Sequence, residues 1–335
     1  MKGRHIIPTP RMVTPACHTT CGRGCEAPPP RSRFQVKLCG QKIVKAAPGP
    51  GFTMLEMEGW LFAAVVLVGL VSMVVLVQDR FIYFPQRYSP AQMEEAKMAG
   101  VQEVRFRTSQ GNQAAFFWRN EHSSTAPRMI WLLFGGNGDV ALAWIGLIRS
   151  FTGSGTGFLL IDYPGYGVCE GKPNPRTILE NSERALQSLL EKEGWTSGAM
   201  TLGVLGHSLG GAAALQFAAK NPVRKILAVS TFTTMDDMVR AQIRFPLGHL
   251  LRHRFDNLAS LKTILSQAEG PEIEIIHGQA DEIIPAKMGQ ALAHLDPNRI
   301  KFSEIAGARH NDIIQTAFPM SLQSAFFRLI EEEKR

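Results

Sequence analysis

The residues best suited to chemistry in this 335-residue chain are a serine, an aspartate and a histidine spread over its C-terminal half. Ser208 sits in Gly206-His207-Ser208-Leu209-Gly210, after an apolar strand-like run (200–205) and before a helical run rich in small residues (209–221). A serine held in a sharp strand-to-helix turn needs glycine neighbours, because side chains there would clash. Its hydroxyl is a poor nucleophile at neutral pH and requires a base to take the proton as it attacks. Downstream, a second strand-like run ends in His277-Gly278-Gln279-Ala280-Asp281, and the run 299–305 leads into Gly307-Ala308-Arg309-His310-Asn311-Asp312. Asp281 and His310 are therefore the expected orienting acid and general base. His310 would receive the serine proton on one ring nitrogen while Asp281 holds the other. Such a set does acyl transfer.

Each role has rivals. Glu282 adjoins Asp281 but should point elsewhere, since neighbours at a strand end diverge. Asp236 and Asp237 follow the preceding strand-like run, and Asp312 suits a cap or helix-dipole partner for the helix after it. His207 lies within the turn and His277 at a strand end, positions typical of packed or structural histidines. A tetrahedral oxyanion needs N–H donors: the backbone of Leu209, next to the nucleophile, is one. The loop Gly135-Gly136-Asn137-Gly138-Asp139 should supply the other, with Asn137 the expected donor.

The elements that must position these groups alternate in type. Strand-like runs lie at 103–107, 114–119, 129–134, 157–161, 200–205, 224–229, 272–277 and 299–305. Helical patterns separate most of them, including 175–193, 209–221 and 286–295. No helix falls between the first two strands, which predicts an antiparallel start. The rest predict a mostly parallel sheet with helices on both faces, an α/β architecture spanning 100–335.

Upstream the character changes. Residues 1–53 hold Pro28-Pro29-Pro30 and Pro48-Gly49-Pro50-Gly51 without apolar periodicity, and are expected to be a disordered leader. A start at Met54 or Met57 is the alternative. Nearly all of the net charge of +7 lies here, because the first 58 residues carry nine Lys/Arg against three Glu, a balance of +6. The remainder has 27 basic and 26 acidic residues, so no nucleic-acid partner is expected. Four of the five cysteines (Cys17, Cys21, Cys25, Cys39) are in the leader, and their spacing beside His18 matches no zinc or iron–sulfur pattern.

Residues 60–77, WLFAAVVLVGLVSMVVLV, form an apolar run of eighteen residues interrupted only by Gly69 and Ser72, long enough at about 1.5 Å per residue to approach a hydrocarbon core of about 30 Å. Trp60 on one side, and Arg80, Phe81 and Tyr83 on the other, suit the two interfaces. With no small-residue cleavage site after it, the segment 59–78 is expected to be a retained single-pass anchor. The basic leader favours a cytoplasmic N-terminus; a start at Met54 or Met57 would instead leave Arg80 and Arg87 to favour a cytoplasmic catalytic region. Orientation stays open.

From about residue 129 onward the chain resembles the α/β-hydrolase superfamily, and within it the membrane-anchored ABHD-type serine hydrolases. The matching segments are FGGNGD, IDYPGYGVCEG, GHSLGG, RHRFDNL, HGQADEIIP and GARHND. The resemblance implies an α/β-hydrolase fold with a small helical cap. It also implies esterase, lipase or acyl-thioesterase activity on a small acyl substrate, lipids included, without metal or organic cofactor. Peptidase activity, or an inactive membrane-tethered scaffold, are the alternatives. Two departures stand out: Gly135-Gly136-Asn137 replaces the His-Gly-Asn frequent in relatives, and Cys169 stands where Ser is common. Cys169 is expected to be a buried or loop thiol rather than a second nucleophile. The insertion 231–264 is the expected cap. It mixes Phe245, Leu247, Leu250 and Leu251 with Arg240, Arg244, Arg252, His253 and Arg254, a basic amphipathic composition suited to lipid contact.

Overall fold

The computed structural model describes residues 54–120, 125–150, 155–243 and 248–317. The leader with its four cysteines and His18 lies outside the described residues, as do Arg244, Phe245 and Leu247.

The alternation of apolar runs becomes one eight-stranded sheet. Its strands are β1 (Gln102–Thr108), β2 (Gly111–Arg119), β3 (Met129–Phe134), β4 (Thr156–Ile161), β5 (Thr201–His207), β6 (Lys225–Val229), β7 (Glu272–Gly278) and β8 (Ile300–Ile305). They lie in the order β1-β2-β4-β3-β5-β6-β7-β8. β1 and β2 form the expected antiparallel start, and β2 also runs antiparallel to β4; every other pairing is parallel. A sheet covered on both faces needs strands that are apolar at every position. β3 meets this, with all six residues buried. Ile130, Leu132 and Phe134 face one half of the core, while Met129, Trp131 and Leu133 face the other.

The helices are α1 (Met54–Val77), α2 (Asp79–Ile82), α3 (Pro90–Met98), α4 (Ile145–Ile148), α5 (Pro175–Glu193), α6 (Leu209–Ala218), α7 (Met235–Ile243), α8 (Asn257–Leu265), α9 (Ala286–Ala293) and α10 (Ile313–Ala317). Local chemistry explains the ends of α5. Asn174 caps its first turn in a reciprocal box with Thr177, Pro175 occupies the first position, and Gly194 ends it at φ 67°. α6 stops three residues before the expected end, and β5 runs two residues further, to His207. Within the insertion, α7 borders the candidate site, whereas α8, capped by Asp256, buries Leu261 and Ile264 in the main core.

α1 begins six residues before the apolar run, at Met54, and spans 24 residues, about 36 Å. It is apolar and long enough to cross a membrane, and none of its described side chains is buried. The segment after α1 is fastened to the α/β domain. The Gln78 side chain donates to the Leu250 carbonyl (3.2 Å) and accepts from the Arg252 N–H (2.6 Å). The Phe84 N–H donates to the Asn137 carbonyl (2.9 Å), Gly167 N–H to the Gln86 carbonyl (2.8 Å), and Tyr88 O–H to the buried Asp162 carboxylate (2.6 Å). Segment 78–88 is thus a strap laid across the loops at the carboxyl ends of β3 and β4.

Candidate active site

Ser208 occupies the turn between β5 and α6 with φ 57° and ψ −119°, backbone angles that a non-glycine residue adopts only under strain. Its glycine neighbours make the turn feasible. A Cβ on Gly206 would overlap the Gly210 carbonyl, one on Gly210 would overlap the Phe134 carbonyl, and one on Gly211 would stand 2.7 Å from Thr231. The Ser208 N–H donates to the Val229 carbonyl at the end of β6 (2.9 Å), which fixes the turn against the next strand.

His310 brings Nε2 to 3.0 Å from Ser208 Oγ, and its Nδ1 lies 2.8 Å from Asp281 Oδ2. All three residues come from loops at the carboxyl edge of the sheet. The Asp281 and His310 loops are bonded to each other: Gln279 N–H donates to the Ile305 carbonyl and Ala280 N–H to the Ala308 carbonyl. The Asp281 side chain is fully buried, and its Oδ1 accepts from the N–H groups of Ile283 (3.0 Å) and Ile284 (2.7 Å). Burial alone would raise its pKa. Hydrogen bonding from His277, from His310 and from the Ile284 N–H outweighs that and holds the carboxyl well below the usual carboxylate range.

His277 is closer to the chemistry than its place at the end of β7 indicated. It is wholly buried, with Nε2 2.9 Å from the Ile284 carbonyl and 3.4 Å from Asp281 Oδ2, so the carboxylate faces two imidazoles. The four-residue spacing of His277 and Asp281 across a strand end was the available signal. The rival acids are engaged elsewhere. Glu282 reaches the backbone N–H of His310 (3.3 Å) and the Arg309 guanidinium rather than the imidazole. Asp236 pairs with Arg240, Asp237 accepts from the Thr233 hydroxyl, and Asp312 accepts from the Arg309 N–H just ahead of α10.

Leu209 is the first residue of α6, so its N–H has no acceptor within the helix. Asn137 faces Ser208 across the site, and its carbonyl is turned away, accepting from the Tyr166 hydroxyl (2.6 Å) and from the Phe84 N–H of the strap. Asp139 closes the same loop by accepting from the Gly136 N–H (2.8 Å). The nearby His207 ring, with that N–H, holds the Asp139 carboxyl below its ordinary value against burial. His207 itself contacts the His310 carbonyl through Nε2 (3.0 Å), and the two rings stand 5.0 Å apart. It therefore bridges the Asp139 loop and the His310 loop, a role that its place inside the turn did not reveal.

Two hollows meet at this point, and both are lined by Asn137, Ser208, His310 and Asn311. One, of about 400 Å³, has Asp139, His207 and Gln315 in its wall. The other, of about 470 Å³, is walled by Ile82, Phe232, Met235, Met238 and Ile284.

Residues 131–299 match the model of the alpha/beta hydrolase family. The chain belongs to that family. An uncharacterized protein of Mycobacterium tuberculosis is 26% identical over 249 residues, covering 74% of this chain and 86% of that one. Protein bem46 of Schizosaccharomyces pombe is 29% identical over 157 residues (46% and 51% of the two chains), and alpha/beta hydrolase domain-containing protein 17C of Xenopus tropicalis is 30% identical over 152 residues (45% and 46%). Among solved structures, a Pyrococcus furiosus esterase superposes with a TM-score of 0.55 at 14% identity, over 75% of this chain and 97% of that one. At that identity the likeness is one of fold.

Both departures from the family pattern have local causes. A side chain at position 135 of this hydrolase would stand 2.9 Å from Asp139 Cβ, so the Asp139 closure of the loop and the small residue go together. Cys169 is wholly buried, its Sγ 3.4 Å from the Ala114 backbone, and burial pushes the thiol up to about 12. A thiol buried in this way is a weak nucleophile, because the reactive species is the thiolate.

Proposed function

We propose that the protein is a serine hydrolase that cleaves a carboxylic ester or acyl thioester through an acyl-enzyme. Ser208 Oγ attacks the acyl carbon while His310 Nε2 takes its proton. The oxyanion is met by the N–H groups of Leu209 and Asn137, and the alcohol or thiol departs with the proton from His310. Water, deprotonated by the same nitrogen, then attacks the acyl-Ser208 ester and releases the acid. Asp281 holds the imidazole in the tautomer that leaves Nε2 free to accept. The observation that carries this reading is the continuous hydrogen-bonded line from Asp281 through His310 to Ser208, ending where the two hollows meet. α1 serves as a single membrane anchor, consistent with its length and its unburied apolar surface.

The test is covalent labelling by a fluorophosphonate probe in wild type and Ser208→Ala. Labelling that vanishes in the variant, together with loss of ester turnover, is the expected result. An unlabelled but folded wild-type chain in lipid vesicles would point to a scaffold instead.

The bond from Tyr166 to the Asn137 carbonyl adds a smaller prediction. Tyr166→Phe removes the hydroxyl that donates to the Asn137 carbonyl and accepts from the Phe84 N–H (3.1 Å), loosening the oxyanion loop, so kcat should fall about two- to tenfold. KM for a short-chain ester should stay within about twofold, because the ground-state carbonyl does not depend on the Asn137 N–H. Steady-state kinetics on butyrate esters separate the two parameters.

A further inference from the structure

The two hollows at Ser208 differ in chemistry, and one of them is built partly from the segment that leaves α1. Ile82 of α2 forms part of its wall, and Phe81 lies at its edge, only four residues beyond the end of α1. Across the mouth stands Ile243, at the end of α7. Phe81 is 75% exposed and Ile243 56% exposed, so the entrance is rimmed by large apolar side chains next to an apolar helix none of whose described side chains is buried. Exposed apolar rims of this kind mark contact with a lipid or ligand. Inside, Met235 and Met238 supply unbranched, adaptable walls suited to a flexible chain. The opposite hollow is mixed: Asp139, His207 and Gln315 offer hydrogen bonds to a leaving group beside the apolar Trp144, Leu147 and Ile314, so it is less uniformly apolar than the first.

We infer that the hollow beneath Phe81 and Ile82 is the acyl-chain subsite, and that these two residues are specificity-determining: they admit an acyl chain from the bilayer and limit how far it extends past Ser208. The inference rests on the reading of Ser208 as nucleophile and α1 as anchor, and it deepens both. The same segment is bonded at Gln78 to residues 250 and 252, at Tyr83 to His253 (3.3 Å) and at Phe84 to the oxyanion-loop carbonyl. The wall of the subsite therefore holds a fixed position relative to the reacting carbonyl. Each methylene buried there is worth about fourfold in kcat/KM until the hollow is full.

The experiment uses the full chain in phosphatidylcholine vesicles and p-nitrophenyl esters from acetate to palmitate. In wild type, kcat/KM should climb with chain length and then level off. Ile82→Trp, which fills the hollow, should move the optimum to a chain several carbons shorter. Phe81→Ser, at an exposed position that folding does not need, should lower the long-to-short ratio by about tenfold or more. Leu147→Trp, which narrows the opposite, mixed hollow, should leave the optimum length where it was. A length profile unmoved by Ile82→Trp and Phe81→Ser, or moved by Leu147→Trp instead, overturns the assignment even when the wild type labels at Ser208. Absence of both labelling and turnover at every length overturns the underlying hydrolase reading and the subsite with it.

Discussion

Asp281→Asn is expected to lower kcat for a short-chain ester by about 10⁴-fold while the protein stays folded. The size follows from what the carboxylate does for the imidazole. An ionised acid at Nδ1 stabilises the imidazolium that forms as Ser208 attacks and fixes the tautomer; an amide does neither, and the same replacement in serine proteases costs about four orders of magnitude. The fold should survive because the asparagine oxygen can still accept from the Ile283 and Ile284 N–H groups that hold this side chain. Glu282→Gln is the matched comparison. That carboxylate meets His310 only through its backbone N–H, so the loss should be less than about threefold, the scale of one partly exposed hydrogen bond. A tenfold or smaller effect at Asp281, or equal effects at the two positions, would remove Asp281 from the proposed set.

The same carboxylate has a signature in stability against pH. Its folded-state pKa lies below the value of about 3.9 expected in an unfolded chain, so its ionised form stabilises the fold at every pH above that value. That contribution is lost as pH falls below about 4. Denaturant unfolding should therefore show a steeper acid decline in wild type than in Asp281→Asn.

The second large effect is structural. Gly210→Ala should destabilise the protein by about 3 kcal/mol or more and lower Tm by roughly 6–12 °C, because the added methyl has nowhere to go. It would collide with the backbone carbonyls of Phe134 and Gly135, at the point where α6 passes closest to the end of β3. Both are main-chain atoms of a fully buried strand and its loop, so neither can rotate aside. The displacement would also reach the proposed oxyanion donors, which lie on either side of that contact, and activity should fall with stability. Gly138→Ala is the control: nothing lies within 4 Å of its would-be Cβ, and a change within about 0.5 kcal/mol is expected. Thermal unfolding of the two variants side by side decides it; a Gly210→Ala chain as stable as wild type would mean that the turn is looser than these contacts indicate.

Much of this molecule is legible in its residues alone, and the legible parts share a cause. Strand runs such as 129–134, the helix 175–193 and the turn around Ser208 are written in neighbouring residues: continuous apolar stretches, an Asn-Pro start with a Gly end, and glycines flanking a serine. Those signals act over a few residues, within the reach of steric clash and local hydrogen bonding. Element ends were less legible, as with α6 stopping at Ala218, because the last turn of a helix depends on what packs beyond it.

What lay out of reach involves residues far apart in the chain. Asp281 and Glu282 are adjacent and chemically alike. Only the hydrogen bonds from Gln279 and Ala280 to the His310 loop turn one carboxylate toward the imidazole and the other toward a backbone N–H. His207 and His277 both read as packing residues, yet one bridges two loops of the site and the other adds a second imidazole to Asp281. Neither contact has a local pattern, since each depends on where separate strands end in the sheet. The strap from Gln78 to Tyr88 shows the same limit: its sequence speaks of a membrane interface, while its bonds to Asn137 and residues 250–252 arise from where the chain must run after α1. Sequence alone determined the fold class, the serine turn and the residues eligible to accompany it, because those rest on periodicity and local sterics. The tertiary structure decided which acid faces His310, that one of the two hollows is the more apolar and that Phe81 and Ile82 border it, because these depend on side chains that only long-range packing brings within contact.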